Sequence, residues 1–287
     1  MEEKALKEGF RQARVVTKEF ARSFYFASLF LPADKQKAAY AVYAICRKSD
    51  ETVDSENFGD KEKLVKKLED DIRLAYSQKQ LKQPLLLAFR QAVNDYAIPG
   101  EYFETLLEGM RMDISVNRYA DFKSLREYCY KVAGVVGLMI LKIFGYKEKN
   151  AEEYAVKLGI AMQLTNILRD IKEDLARQRI YLPIDEMDKF GVSAATLEKG
   201  KVDEKIIQLL RFQIARCRAY YEESSPGIRL IKDPRCRFVA AAMKEFYCRI
   251  LEAIEKNGYD LFSVRAHVNT FAKIKLTAKV FIQGKYL

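Results

Sequence analysis

Tryptophan is absent from this 287-residue chain, and histidine occurs once, as His267. A Ser-His-Asp triad or a His-rich zinc site would rest on that single imidazole, so both are set aside and His267 reads as an ordinary structural or surface residue. Cysteine is sparse: Cys46, Cys129, Cys217, Cys236 and Cys248 are odd in number and contain no C-x-x-C pair. Such a set reads as reduced thiols in a cytosolic protein. The six prolines, with nearly half the residues hydrophobic, argue against an extended disordered region. Long apolar runs are missing too. The best stretch, Val132 to Leu141, ends at Lys142 and falls far short of the roughly 20 residues needed to span a bilayer. The charged, helix-like start of the chain shows no signal peptide. Blocks of like charge are also lacking: the net charge is +10, with the basic residues spread along the chain. Without a helix-turn-helix, zinc-finger or RNP-like signature, nucleic acid is not expected as a partner. An anionic substrate or peripheral contact with a membrane surface fits better. The expected location is cytoplasmic, at most peripheral at the membrane, with no obligate protein partner.

What is present is helix. Apolar residues recur at three- and four-residue steps, and strand-like alternation is nearly absent. Helices are predicted over about Lys4–Phe30, Asp34–Asp54 with Asp34 as N-cap, Lys61–Ser77, Pro84–Tyr96, Glu101–Ile114, Phe122–Phe144 and Ala151–Ala176. Further helices are predicted over about Pro183–Phe190, Ser193–Lys199, Asp203–Ser225, Pro234–Asn257 and Val264–Phe281. No internal repeat or linker marks a second unit. The expectation is one all-α domain over residues 1–287, with helices around a central cavity.

Two carboxylate pairs stand out, each spaced four apart: Asp50 with Asp54, and Asp170 with Asp174. Residues i and i+4 share a helix face, so each pair can aim two hard oxygen ligands at one point. Two such helices facing each other would cage Mg²⁺ and a diphosphate held through it. Cys46 and Tyr43 lie one and two turns before Asp50 on the same stripe, with Arg47 beside them. Gly159, Gln163, Asn166, Asp170 and Asp174 form a polar stripe flanked by Ile160, Leu164, Ile167, Leu168 and Ile171. Polar groups on an apolar helix need partners, which metal ions and water would supply. The competing reading is an inter-helix ion-pair network through Arg47 and Arg169. Arg22, Arg47, Arg169, Arg177, Arg179 and Arg265 are candidates for diphosphate oxygens. Gly134 and Gly137 interrupt an apolar helix, through close helix packing or through a ligand tail against bare backbone. Phe24, Phe26, Tyr43, Tyr128 and Tyr247 are placed near the cavity, where aromatic faces could stabilise a cation.

Together these motifs resemble the squalene/phytoene synthase family of head-to-head prenyl synthases. The resemblance runs through Ser23-Phe24, Tyr43-Ala-Ile-Cys-Arg47 leading to Asp50 and Asp54, and Tyr128-Cys-Tyr-Lys-Val-Ala-Gly-Val-Val-Gly137. It continues through Gln163-Leu-Thr-Asn-Ile-Leu-Arg-Asp-Ile-Lys-Glu-Asp174, Arg179-Ile-Tyr-Leu-Pro183, Tyr247, Arg265 and Lys273. The family often opens the first motif with two adjacent aspartates, where this chain has Asp50-Glu51. The resemblance implies an all-α isoprenoid-synthase fold and a Mg²⁺-dependent reaction in two halves. One prenyl diphosphate ionises, the double bond of a second captures its cation, and proton loss gives a cyclopropylcarbinyl diphosphate. That intermediate then ionises, rearranges and collapses to a linear product. By motif match, Asp50, Asp54, Asn166, Asp170 and Asp174 would hold Mg²⁺. Arg47, Gln163, Arg265, Lys273 and Tyr247 would contact diphosphate. Ser23, Tyr128 and Tyr181 would sit near the reacting carbons or the diphosphate. Phe24, Val132, Gly137 and Leu164 would line tail channels. The Val-Ala-Gly-Val-Val-Gly run looks closest to carotenoid-type bacterial synthases, so NADPH is not expected. Ser28 and Tyr40 are candidates for the pocket floor that sets substrate length. The expected substrate is farnesyl diphosphate and the product dehydrosqualene, with phytoene from geranylgeranyl diphosphate, or NADPH-dependent squalene formation, as alternatives. Rival classes are a head-to-tail chain-elongating prenyltransferase, against which the Tyr-Cys-Tyr and Arg-Ile-Tyr-Leu-Pro motifs argue, and a non-enzymatic helical membrane binder or scaffold.

Overall fold

Apolar residues spaced for one helical face wind most of this chain into helices that must cover one another. The structure, a computed structural model, describes residues 2–54 and 58–283, and only the backbone of residues 49–54, 58–60 and 283. Among the described residues are fifteen α-helices, no strand, and two isolated bridges, Arg118 with Ile180 and Tyr146 with Ile231. The first six helices are α1 (Glu2–Phe20), α2 (Arg22–Ser28), α3 (Ala33–Asp54), α4 (Phe58–Tyr76), α5 (Pro84–Asp95) and α6 (Gly100–Ser115). Next come α7 (Phe122–Cys129), a π-helical turn (Tyr130–Gly134), α8 (Val135–Phe144), α9 (Ala151–Arg169) and α10 (Ile171–Ala176). The chain continues with α11 (Ile184–Lys189), α12 (Ala194–Glu198), α13 (Glu204–Ile228), α14 (Pro234–Lys256) and α15 (Thr270–Gln283).

Local chemistry sets several of these ends. Asp121 and Ser124 form a capping box on α7, and Asp233 accepts from the Arg235 and Cys236 amides at the start of α14, where Pro234 needs no donor of its own. Five expectations change. The first helix breaks at Ala21, whose backbone (φ −124, ψ 55) leaves the helical basin. Asp34 lies inside the first turn of α3 rather than capping it, and its carboxylate accepts from the Tyr96 hydroxyl at 3.0 Å. The helix over 122–144 contains the π turn. The helix over 151–176 breaks at Asp170 (φ −104, ψ 16). Residues 264–269 are non-helical, so the last helix starts only at Thr270.

The core has two parts. One gathers the inner faces of α1 to α6 with α8, α14 and α15, and the other gathers α7 and α9 to α14. Val132, in the π turn, and Val268, before α15, pack against both. Backbone contact makes the glycines necessary where α8 and α9 approach. A Cβ on Gly137 would stand 2.5 Å from the Ala155 carbonyl oxygen, and one on Gly159 would stand 2.4 Å from that of Ala133. Of the two readings of the glycine-interrupted helix, close packing therefore accounts for Gly137.

Candidate functional site

The polar stripe of α9 leads into the break at Asp170. The backbone departs from the helix there for one residue, yet the Asp170 amide still reaches the Asn166 carbonyl and the Asp174 amide the Asp170 carbonyl, each at 2.9 Å. Asn166, Asp170 and Asp174 consequently follow one another along one side of a bent helix. The Asn166 amide nitrogen donates weakly to Gln163 Oε1 at 3.4 Å. Its Oδ1 is buried with no hydrogen-bond partner among the described residues. An orphaned buried oxygen beside two carboxylates suits a hard cation.

Arginines surround Asp170. Arg169 Nε donates to it at 2.8 Å and Arg265 Nη2 at 2.6 Å, while Arg265 also lies 3.4 Å from Glu173. Burial acts most strongly on Arg169 and against its charge, but the hydrogen bond to Asp170 and the charges of Asp170, Tyr247 and Glu173 together outweigh it, and its pKa rises. The competing ion-pair reading thus applies to Asp170, through Arg169 and Arg265. Arg265, expected on diphosphate, is paired with this carboxylate from the non-helical segment before α15. Asp174 is different. Burial first, then the neighbouring Asp170 charge, push its carboxyl up to about 7, against the pull of Arg177 and Arg179. It borders a small crevice with Ile167, Ile171, Tyr181 and Leu182.

A third carboxylate, absent from the sequence reading, organises the tyrosines. Asp113, near the end of α6, accepts from Tyr128 at 3.0 Å and from Tyr181 at 2.8 Å, one phenol on each oxygen. Their rings stack at 5.2 Å, and the Tyr119 ring stacks on Tyr181 at 5.8 Å. Burial, and then the Asp113 charge, hold the Tyr128 hydroxyl well above the usual phenol range. Arg179 clamps the same turn by donating to the Asp113 carbonyl at 2.9 Å. The segment after α10 is fixed by the Ile180 amide on Asn117 and the Ile184 amide on Tyr119. The available sequence signal was indirect: buried tyrosines such as Tyr128 and Tyr181 need hydroxyl partners, and Asp113 is the sole carboxylate between Gly109 and Ala120.

Opposite charges do not meet everywhere. Burial, and then the Arg22 guanidinium, push the Lys273 ammonium below its usual range. These two cations, on α15 and α2, are near enough for their charges to interact, an arrangement that suits an anion. Ser23 and Phe24 follow Arg22 on α2, half-buried, and the Phe24 ring lies 6.0 Å from Tyr43 of α3. The Arg47 guanidinium covers the Phe20 ring at 4.4 Å. Leu164 is buried in the second core, and Tyr247 of α14 lies near enough to Arg169 to favour its charge. The side chains of Asp50 and Asp54, at the end of α3, lie outside the described residues.

An all-helical fold with this row of side-chain oxygens and arginines belongs to a class, the helical isoprenoid synthases. The family model for squalene/phytoene synthase matches residues 17–272. A phytoene synthase of Arthrospira platensis is 36% identical over 281 residues, covering 93% of this chain and 90% of that one. The 15-cis-phytoene synthase of Synechococcus elongatus is also 36% identical, covering 94% and 91%. The crystal structure of a dehydrosqualene synthase with bound ligand superposes with a TM-score of 0.91 at 31% identity, covering all of both chains. The chain belongs to the squalene/phytoene synthase family. It is a head-to-head prenyltransferase of isoprenoid biosynthesis.

Proposed function

We propose that this enzyme joins two molecules of a C20 prenyl diphosphate into phytoene without a reductant. The observation that carries the site chemistry is the row Asn166, Asp170 and Asp174, with its orphaned buried oxygen and the arginines that meet Asp170. In this reading Asn166, Asp170 and Asp174, with Asp50 and Asp54, hold Mg²⁺. Bound there, the metal would neutralise diphosphate charge and ease its departure. Lys273 and Arg22 take diphosphate oxygens, and Arg47, Gln163 and Tyr247 complete that contact. Arg265 and Arg169 hold Asp170 in place until ligand arrives. Tyr128, fixed by Asp113, keeps its proton and presents a neutral hydroxyl near the reacting carbons. Phe24, Tyr43, Val132 and Leu164 line the tail region and keep water from the cations.

Support for the longer substrate is twofold. The similar curated proteins from Arthrospira and Synechococcus are phytoene synthases along nearly their whole length. The floor residue Ser28 is small: its hydroxyl bonds the Tyr40 hydroxyl at 2.6 Å, and Tyr40 packs edge-on against Phe24 at 6.3 Å. The second reading is the C15 substrate and dehydrosqualene, supported by the structural match to a dehydrosqualene synthase. Purified protein with Mg²⁺ and either C15 or C20 diphosphate, with and without NADPH, separates the readings by product mass. Phytoene from the C20 substrate in both tubes is the expected result. Dehydrosqualene in both tubes selects the second reading, and squalene formed only with NADPH overturns the reductant-free chemistry.

A further inference from the structure

The outward side of α15 is apolar where a surface helix is ordinarily polar. Leu276 and Val280 face the protein and are buried, as the fold requires. Yet Phe271, Ile274, Phe281 and Ile282 are 77%, 53%, 65% and 82% exposed. At helical spacing these four fall within roughly a third of the circumference, and Lys275 and Lys279 flank them on one side. The apolar surface continues onto a second element. Phe281 meets Phe238 at 6.3 Å, and Phe238 meets Phe30 at 5.0 Å, where Phe30 and Leu29 follow α2 and are 43% and 53% exposed. Charge is one-sided: residues 264–283 include Arg265, Lys273, Lys275 and Lys279 and no Asp or Glu.

We infer that this face docks on an anionic lipid bilayer, with α15 lying in the plane of the interface. Exposed aromatic and aliphatic side chains enter the boundary of the acyl region, while the flanking lysines meet lipid phosphates. A second copy of the chain fits less well. A two-fold contact through α15 would bring lysines against lysines with no carboxylate to offset them. Among the described residues no helix is long and apolar enough to cross a membrane, so contact is along the surface. The inner side of the same helix carries the half-buried Lys273, whose ammonium feels the charge of Arg22. One helix therefore separates a cationic site from lipid, and a hydrocarbon product has a short route into the bilayer. This placement is independent of substrate length.

Sedimentation of the full chain with vesicles tests it. Phosphatidylglycerol vesicles should carry the protein down, phosphatidylcholine vesicles should do so weakly, and added salt should release it. Lys275→Glu with Lys279→Glu should lower partitioning at least about tenfold, since each lysine interacts favourably with an anionic surface. Phe271→Ser with Ile282→Ser should lower it similarly. Both pairs should leave the melting temperature unchanged, because all four side chains are exposed. The inference fails if the wild type ignores phosphatidylglycerol vesicles, or if the serine pair partitions like wild type. It fails equally if, without vesicles, the wild type forms a concentration-dependent dimer that the serine pair abolishes.

Discussion

A carboxylate that accepts from two phenols fixes both rings, and Asp113 does this for Tyr128 and Tyr181. Asp113→Asn keeps the shape but turns one acceptor into a donor facing a hydroxyl. Its kcat should fall about 100-fold with KM little changed, and its combination with Tyr128→Phe should be no worse than the worse single variant, because the two act as one unit. Steady-state kinetics on the three proteins checks this, and additive losses would show independent roles. Asp174 makes a pH forecast. Its folded-state carboxyl, pushed up to about 7, holds its proton more tightly than the unfolded chain's. The associated stability is present in full below about pH 4 and is lost as pH rises through about 7, a change on the order of 4 kcal/mol. Metal-free enzyme should therefore show a melting temperature that falls from pH 5 to pH 8, and Asp174→Asn should flatten that fall. Identical pH profiles for the two proteins would remove Asp174 as the cause.

At the scale of elements, α9 is held between α8 and α13. Gly159 permits contact with the Ala133 carbonyl, and Thr165 bonds the Tyr221 hydroxyl at 2.8 Å. Gly159→Ala forces a methyl group into that backbone and should cost about 1–3 kcal/mol, read as a lowered melting temperature. No change would mean that α9 can move away freely. Most helices were legible in the sequence because their periodicity is strong and Pro84, Pro99 and Pro234 punctuate it. The breaks at Ala21 and Asp170 were not, because neither glycine nor proline marks them and the apolar pattern runs through both. The π turn was marked by Gly134, which ends it, but a glycine in an apolar helix signals close packing as readily as a change of helical pitch. The α9 stripe was legible as polarity inside an apolar helix. Asp113 was not, because its partners are 15 and 68 residues away and only the fold joins them.

Across the whole molecule, Asp170 and Asp174 lie among α9 and α10, which pack chiefly in the second part of the core, while Arg22 and Lys273 lie on α2 and α15, whose buried residues belong to the first. A ligand bridging those groups should stabilise both parts together. Mg²⁺ with inorganic diphosphate should raise the melting temperature, EDTA should reverse the rise, and either component alone should do much less. Scanning calorimetry checks this, and an equal shift from diphosphate alone would dispense with the metal. The tyrosine stack also has an optical side. With no tryptophan to drain excitation, ultraviolet emission from this protein is tyrosine emission, and phenols bonded to a carboxylate emit weakly. Whatever draws Tyr128 and Tyr181 away from Asp113 should brighten the native protein, so the unlabelled chain carries its own indicator of events at the site.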